Sequence, residues 1–534
     1  MEIIQASNEG RQTSMGLVYE QFIWAFLVGC TFISVLSHPD EVDTFVREAK
    51  SAPQILTYDY IVIGGGTCGC PLAATLSQGA RVLVLERRGS PYTNPEQINI
   101  KNFVNSLADI SPSSFSQPFI SRDGVLNSRA RVLGGGSVVN AGFYSRASST
   151  YIRDSGWNET LAKDSYKWVE EKVAFEPPML QWQSAVKDGL LEVGVLPYSG
   201  FTFDHLYGTK VGGTIFDKEG NRHTAADLLE YADPKRISVY LHATVQKILF
   251  KYNTEKRRPQ AYGVIFKDAL GVMHRAYLST KGKNELILSA GAIGSPQLLL
   301  LSGIGHANHL EAHGIKVVLD QPLVGQGMAD NPLNVLVVPS PVPVEASLVQ
   351  TLGITKFGSF IEAASGLSLG HSWCIITILI PNQDFQIFSN PILKGGVLLE
   401  KIIGPRSTGH LELINTNPND NPSVTFNYFK GPEDLRKCVE GMKTIIDVIN
   451  SSILKIPLPQ HAMNLRPKHA NAAFSLERYC LHTVLTIWHY PGGVIGVEAL
   501  RVIDGSTFHG SPGTNPQATV MMLGRYMREK IINK

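Results

Sequence analysis

Tyr58-Asp59-Tyr60-Ile61-Val62-Ile63-Gly64-Gly65-Gly66-Thr67-Cys68-Gly69 begins apolar, breaks into glycines and leads into a second apolar run that ends at Gln78. The first run is the length of a buried strand, the second has helical length, and Gly79 stops it. Arg81-Val82-Leu83-Val84-Leu85 then reads as another buried strand, with Glu86 at its end, twenty residues beyond Gly66. Strand, glycine turn, helix, strand and acid at these distances form a complete βαβ unit for a dinucleotide. Gly64 permits the tight turn, Gly66 lets backbone approach a pyrophosphate, and Gly69 lets helix and strand pack closely. The helix start offers unpaired N–H groups to phosphate, and Glu86 can accept from ribose hydroxyls.

Working outward, the polar span 38–57 contains Pro39 and Pro53 and is expected to be a linker, with folding from Tyr58. Before it, Phe22 to Leu36 is the longest apolar stretch. At fifteen residues it falls short of the roughly 20 needed to span a bilayer, so 1–37 is expected to be a signal peptide, or else an anchor, although its flank carries Glu2, Glu9 and Glu20 beside Arg11. Downstream, Ile237–Leu241, Val245–Phe250 and Ala261–Phe266 read as strands, with antiparallel pairing expected across the polar turn 251–260. Glu285-Leu286-Ile287-Leu288 reads as a buried strand that feeds a glycine turn and a helix over 295–301, returning the chain to the first domain.

The 534 residues hold 43% hydrophobic and 18% charged side chains, enough for several domains. Lys+Arg 48 against Asp+Glu 46 leaves +2 without a long run of one sign, which disfavours nucleic acid and anionic membranes and points to a small-molecule partner. Six cysteines are too few for a disulfide scaffold. The sequons at Asn158 and Asn450 agree with export but arise easily by chance. Cys68 and Cys70 have no companion cluster of ligands, so no metal site is expected.

The βαβ unit alone does not separate FAD from NAD. A second block does: Arg129-Ala130-Arg131-Val132-Leu133-Gly134-Gly135-Gly136-Ser137-Val138-Val139-Asn140-Ala141-Gly142-Phe143. With Gly291-Ala292-Ile293-Gly294-Ser295-Pro296-Gln297 and Leu301-Ser302-Gly303-Ile304-Gly305 it resembles the two signatures of the glucose-methanol-choline (GMC) oxidoreductases. The likeness runs from about Tyr58 to the C-terminus, including 324–332 and 500–508, and is greatest to the plant HOTHEAD-like and mandelonitrile lyase-like branch, HOTHEAD above all.

The resemblance implies FAD, contacted by Gly64, Gly66, Thr67, Cys68, Gly69, Glu86 and Arg87 in the first unit. Val132, Gly136, Asn140, Ala141, Gly142 and Phe143 would follow from the second block. Val245 would face the adenine, while Trp488, Asp504, Gly505, Pro516 and Gln517 would close the site around the flavin. Relatives that bind FAD covalently use a His just before this Asn; here Val139 stands there, so FAD is expected to be non-covalent. Family members oxidise alcohols by passing the hydroxyl proton to a base while hydride goes to flavin, and the base resembles His489 in Ile487-Trp488-His489-Tyr490. Histidine titrates near neutrality, which suits that role. The second catalytic position falls on Asn515, which cannot titrate but can hold a substrate oxygen. Mandelonitrile lyases carry His there, so Asn515 favours alcohol oxidation over a lyase. Cys438 and Cys480 resemble a disulfide pair in the lyases, in keeping with a secreted or endoplasmic-reticulum lumen location.

The chain departs from the family after His489, where Pro491-Gly492-Gly493-Val494-Ile495-Gly496 runs almost directly into Val497-Glu498. The stretches 364–400 and 454–463 also run short. A displaced His489 would cost activity steeply, since about 1 Å can cost on the order of a hundredfold, so an inactive secreted flavoprotein stands beside the lyase as an alternative. The expected architecture is α/β: an FAD-binding Rossmann-like domain from 58–150, 231–330 and 487–534, and a substrate domain from 151–230 and 331–486 with an antiparallel sheet and helices. The expected reaction is oxidation of an alcohol, with a long-chain ω-hydroxy fatty acid implied by the HOTHEAD likeness.

Overall fold

In the computed structural model, the opening stretch lies at the centre of a parallel sheet. The structure describes residues 45–253, 255, 258–340, 343–366, 395–454, 485–489, 496–508, 510–513 and 515–532. The strands are β1 (Val46–Glu48), β2 (Tyr60–Ile63), β3 (Val82–Leu85), β4 (Ile237–Leu241), β5 (Glu285–Leu288) and β6 (Leu500–Val502). They lie in the order β1-β4-β3-β2-β5-β6, every pair parallel. Covered on both faces, β2 and β3 are continuous runs of buried residues. Each buried Val, Leu or Ile contributes about 1.5–3 kcal/mol.

Residues 45–57 correct the expected linker. Phe45 is buried, β1 pairs with Val239–Leu241, and Ile55–Tyr58 pairs in parallel with Arg275–Leu278. These are edge strands of three and four residues with no alternation to betray them, and long-range ladder partners hold them in place. The strands Thr244–Asn253 and Arg258–Lys267 are antiparallel neighbours, as expected, and Met273–Leu278 adds a further antiparallel strand that the sequence reading did not include. Ile237–Leu241 belongs instead to the parallel sheet, and His242, at φ 54°, turns the chain from one sheet into the other.

The second large sheet is mostly antiparallel. Its middle is Gln326–Pro339, Gly395–Ile402, Ser359–Ser365 and Thr351–Ile354, with Gly208–Val211 beyond, and Leu485–His489 also pairs with Gln326–Pro339. The expected domain boundaries at 331 and 487 therefore fall inside strands. Side chains alternate across it. Ile361, Ala363, Leu398 and Ile402 meet Trp182, Met442 and Ile445 of the helices Gln181–Glu192 and Pro432–Ile449. On the other face Phe360 packs with Phe143, from the segment expected to line the flavin. The final helix, Gln517–Ile532, closes on the glycine helix Gly69–Leu76; a Cβ at Gly524 would lie 2.4 Å from the Cys68 carbonyl oxygen.

Candidate active site

Two glycine loops interlock at the C-terminal end of the parallel sheet, where open α/β sheets bind ligands. Gly134 N donates to Gly65 O at 2.7 Å, Thr67 Oγ1 donates to Gly134 O at 3.2 Å, and Ser137 N donates back to Thr67 Oγ1 at 3.3 Å. Gly64 (φ 100°) and Gly69 are required by the fold itself. A Cβ at 64 would sit 2.5 Å from Ser289 O, and one at 69 would sit 2.0 Å from Gly64 O. Gly66, Gly136 and Gly505 differ: beyond the adjoining chain, added Cβ atoms meet no protein atom nearer than 3.7 Å, and at the buried Gly505 none within 4 Å. These backbones border room for an extended ligand.

Two buried carboxylates brace this cradle. Glu86 accepts from Gly65 N at 3.0 Å and Arg88 N at 3.1 Å, leaving lone pairs for hydroxyls. Asp504 accepts from Gly291 N at 2.9 Å, Ser295 Oγ at 2.6 Å and Ser506 N at 2.8 Å. Burial raises both pKa values, against the pull of these hydrogen bonds. Arg87 turns elsewhere, donating to Gln117 Oε1 and Ala130 O of the neighbouring hairpin, and burial lowers its pKa to about 10. Cys68 and Cys70 are buried free thiols; Cys70 donates to Gly65 O. Val132 and Val245 lie in apolar clusters.

A polar chain ties the second block to the C-terminal helix. Asn140 Nδ2 donates to Gln517 Oε1 at 2.9 Å, Gln517 Nε2 donates to Phe143 O at 2.6 Å, and Gly142 N donates to Asn140 Oδ1 at 2.9 Å. Pro516 O accepts from Val520 N, and Ala141 packs beside Phe143. Sequence reasoning missed Arg222. It is fully buried, donates to Ile98 O, Ser137 O and Asn140 Oδ1, stacks 4.4 Å from the Phe216 ring centroid, and has no carboxylate partner among the described residues. Burial lowers its pKa to about 9.

The backbone of Leu485–His489 runs antiparallel to the strand that begins at Gln326, with Trp488 opposite Asp330 and His489 opposite Ala329. Asn331, two residues along, donates from Nδ2 to Ser511 Oγ at 2.9 Å and Gly513 O at 3.2 Å, fastening the segment that leads to Asn515. Asn515 Nδ2 donates to Glu362 Oε1 at 2.6 Å, and Lys401 Nζ donates to Asn515 Oδ1 at 2.6 Å while lying 2.9 Å from Glu362 Oε2. His205 sits against Phe360, at 5.3 Å between ring centroids, and beside Gly513. Burial and then the Lys210 charge push its pKa down to about 4. Neither Glu362, Lys401 nor His205 carries a local sequence signal: Glu362 is one charge in an apolar strand, Lys401 follows Glu400 in another, and His205 follows Asp204 in a loop. Cys438 is disulfide-bonded, and Cys480 lies outside the described residues.

A doubly glycine-looped parallel sheet with two braced carboxylates, beside a mostly antiparallel sheet, is the arrangement of a dinucleotide-binding protein. The GMC oxidoreductase models match residues 58–333, then 405–494 and 491–524, the last two meeting where the sequence runs short after His489. The chain belongs to the GMC oxidoreductase family. It is 49% identical to Protein HOTHEAD of Arabidopsis thaliana over 91% of this chain and 90% of that protein. It is 42% identical to an (R)-mandelonitrile lyase-like protein of the same plant, over 98% and 99%. A formate oxidase of Aspergillus oryzae shares the fold at TM-score 0.72 and 17% identity, over 90% of this chain and 99% of that one. The protein is thus an FAD-dependent alcohol oxidoreductase, and the glycine cradle described above fits that cofactor. No described helix is long and apolar enough to cross a membrane.

Proposed function

We propose that the protein oxidises a primary alcohol, with His489 taking the hydroxyl proton and Asn515 holding the substrate oxygen. The observation that carries this reading is the fastening of 511–513 by Asn331, on the strand whose Ala329 pairs with His489. That one strand pairs with the backbone of His489 and fastens the segment preceding Asn515 supports a site shared by the two residues. Asn515 retains one N–H and one lone pair beyond its bonds to Glu362 and Lys401, enough to orient a hydroxyl and stabilise its oxygen as the proton leaves. FAD, when bound, supplies the hydride acceptor. Gly66, Gly136 and Gly505 would leave the backbone open to it, Glu86 would accept from its ribose hydroxyls, and Gln517 and Asn140 lock the Phe143 turn. Val139 offers no nucleophile before Asn140, which supports non-covalent binding.

Likeness to HOTHEAD over most of both chains supports a long-chain ω-hydroxy fatty acid as the substrate. The mandelonitrile lyase reading is less favoured, because a lyase must handle the proton of cyanide and Asn515 does not titrate. The disulfide at Cys438 supports export to an oxidising compartment. The test is the flavin absorbance of the purified protein before and after anaerobic addition of a panel of primary alcohols that includes an ω-hydroxy fatty acid. Bleaching by that acid is expected; bound flavin that no alcohol bleaches would overturn the reading in favour of a lyase or an inactive flavoprotein.

A further inference from the structure

The carboxamide of Asn515 is gripped at both ends by a buried ion pair. Glu362 and Lys401 come from adjacent antiparallel strands, where Phe360 pairs with Lys401 and Glu362 with Leu399, so the two charges are diagonal neighbours on one face. Their side chains are 0% and 3% exposed. That face carries Phe360, which packs on Phe143 of the flavin-lining segment. The opposite face, with Leu398 and Ile402, is sealed by helices.

We propose that Glu362 and Lys401 are positioning residues of the active site, which fix the orientation of the Asn515 carboxamide toward the substrate oxygen. The chemistry admits one orientation. Lys401 only donates and the Glu362 carboxylate only accepts, so Oδ1 must face the lysine and Nδ2 the glutamate. A flipped amide would set N–H against ammonium and oxygen against carboxylate. One N–H and one lone pair are left, each in a fixed direction. A buried ion pair adds little net stability, because desolvation offsets the attraction; its effect here is geometric. The inference rests on the reading of Asn515 as the residue that holds the substrate oxygen.

The test is a cycle on the FAD-loaded enzyme with three variants: Asn515→Ala, the charge-free double variant Lys401→Met/Glu362→Met, and the triple variant. FAD content and melting temperature establish folding, and kcat and KM are measured with the alcohol that bleaches the wild-type flavin fastest. Asn515→Ala is expected to lower kcat by roughly 10- to 100-fold. The double variant is expected to lose at least about 10-fold in kcat with a smaller change in KM, and the triple variant to fall no further than Asn515→Ala. Independently of turnover, Asn515→Ala should lower the melting temperature by about 1–2 °C in the wild-type background and by less in the double variant. A double variant with wild-type kcat, losses that multiply in the triple variant, or equal melting shifts in both backgrounds would each overturn the proposal. If the double variant does not fold, Glu362→Gln substitutes for it, with an expected kcat loss of roughly 3- to 10-fold and wild-type kcat as the overturning result. An Asn515→Ala enzyme with unchanged kcat would instead sink the reading of Asn515 itself.

Discussion

The cofactor end and the substrate end of this molecule are built from different materials. Around the expected FAD, the contacts are backbone: glycines that let two loops interlock, and carboxylates at Glu86 and Asp504 that are satisfied by backbone N–H groups and serine hydroxyls. Around Asn515 the contacts are side chains, with Glu362 and Lys401 paired in the interior and His205 held uncharged at neutral pH. Backbone recognition depends on which residues lack a side chain. Side-chain recognition depends on opposite charges meeting across strands.

That difference sets what should break each end. The largest effect is expected from Gly69→Val. Its Cβ would have to lie 2.0 Å from the Gly64 carbonyl oxygen, and both partners are backbone that cannot yield. The protein should retain no flavin, read as the loss of 450 nm absorbance per mole of chain; a Gly69→Val protein with full flavin content would show that helix and turn do not pack as described. Next comes Lys401→Met. It strands the Glu362 carboxylate in the interior, and an uncompensated buried charge costs about 3–5 kcal/mol. Denaturant unfolding should register that loss while flavin content per folded molecule stays near one. A loss of flavin together with stability would mean that the two ends are not separable.

The same contrast explains what the sequence disclosed. The βαβ unit was legible because its glycines and Glu86 lie within thirty residues at fixed spacing. So were the buried strands at 60–63, 82–85 and 285–288, each a continuous apolar run. The strands at 46–48 and 55–58 were not, being short edges whose partners lie far along the chain. Resemblance supplied Asn515, but nothing local marked Glu362 or Lys401. Glu362 is one charge in an apolar strand and Lys401 directly follows Glu400 near the end of another, patterns that usually mean a solvated face. Only the register between Ser359–Ser365 and Gly395–Ile402 sets them side by side.

The two faces of this substrate sheet should also separate by pH, with smaller effects. Glu400, beside Lys401 in sequence but on the helix-covered face, accepts from Ser359 Oγ at 2.8 Å and Asn334 Nδ2 at 3.1 Å, and burial raises its pKa from 4.5 to about 8. Between those values the unfolded chain has lost this proton while the folded one keeps it, so its contribution to stability falls as pH rises from about 4.5 to about 8. Glu400→Gln should gain roughly 2–4 kcal/mol relative to wild type between pH 5 and pH 8. His205, on the Phe360 side, behaves oppositely. Its pKa is lowered from 6.5 to about 4, so the unfolded chain takes up a proton first, and stability is lost as pH falls from about 6.5 to about 4. His205→Gln should match wild type at pH 7.5 and exceed it by about 1–3 kcal/mol at pH 4.5 in denaturant titrations. Paired pH profiles that slope in opposite directions would show that one sheet carries a proton-holding face under its helices and a proton-excluding face toward Asn515. If both variants instead track wild type at every pH, neither group is sealed from water, and the contrast between the two faces is lost.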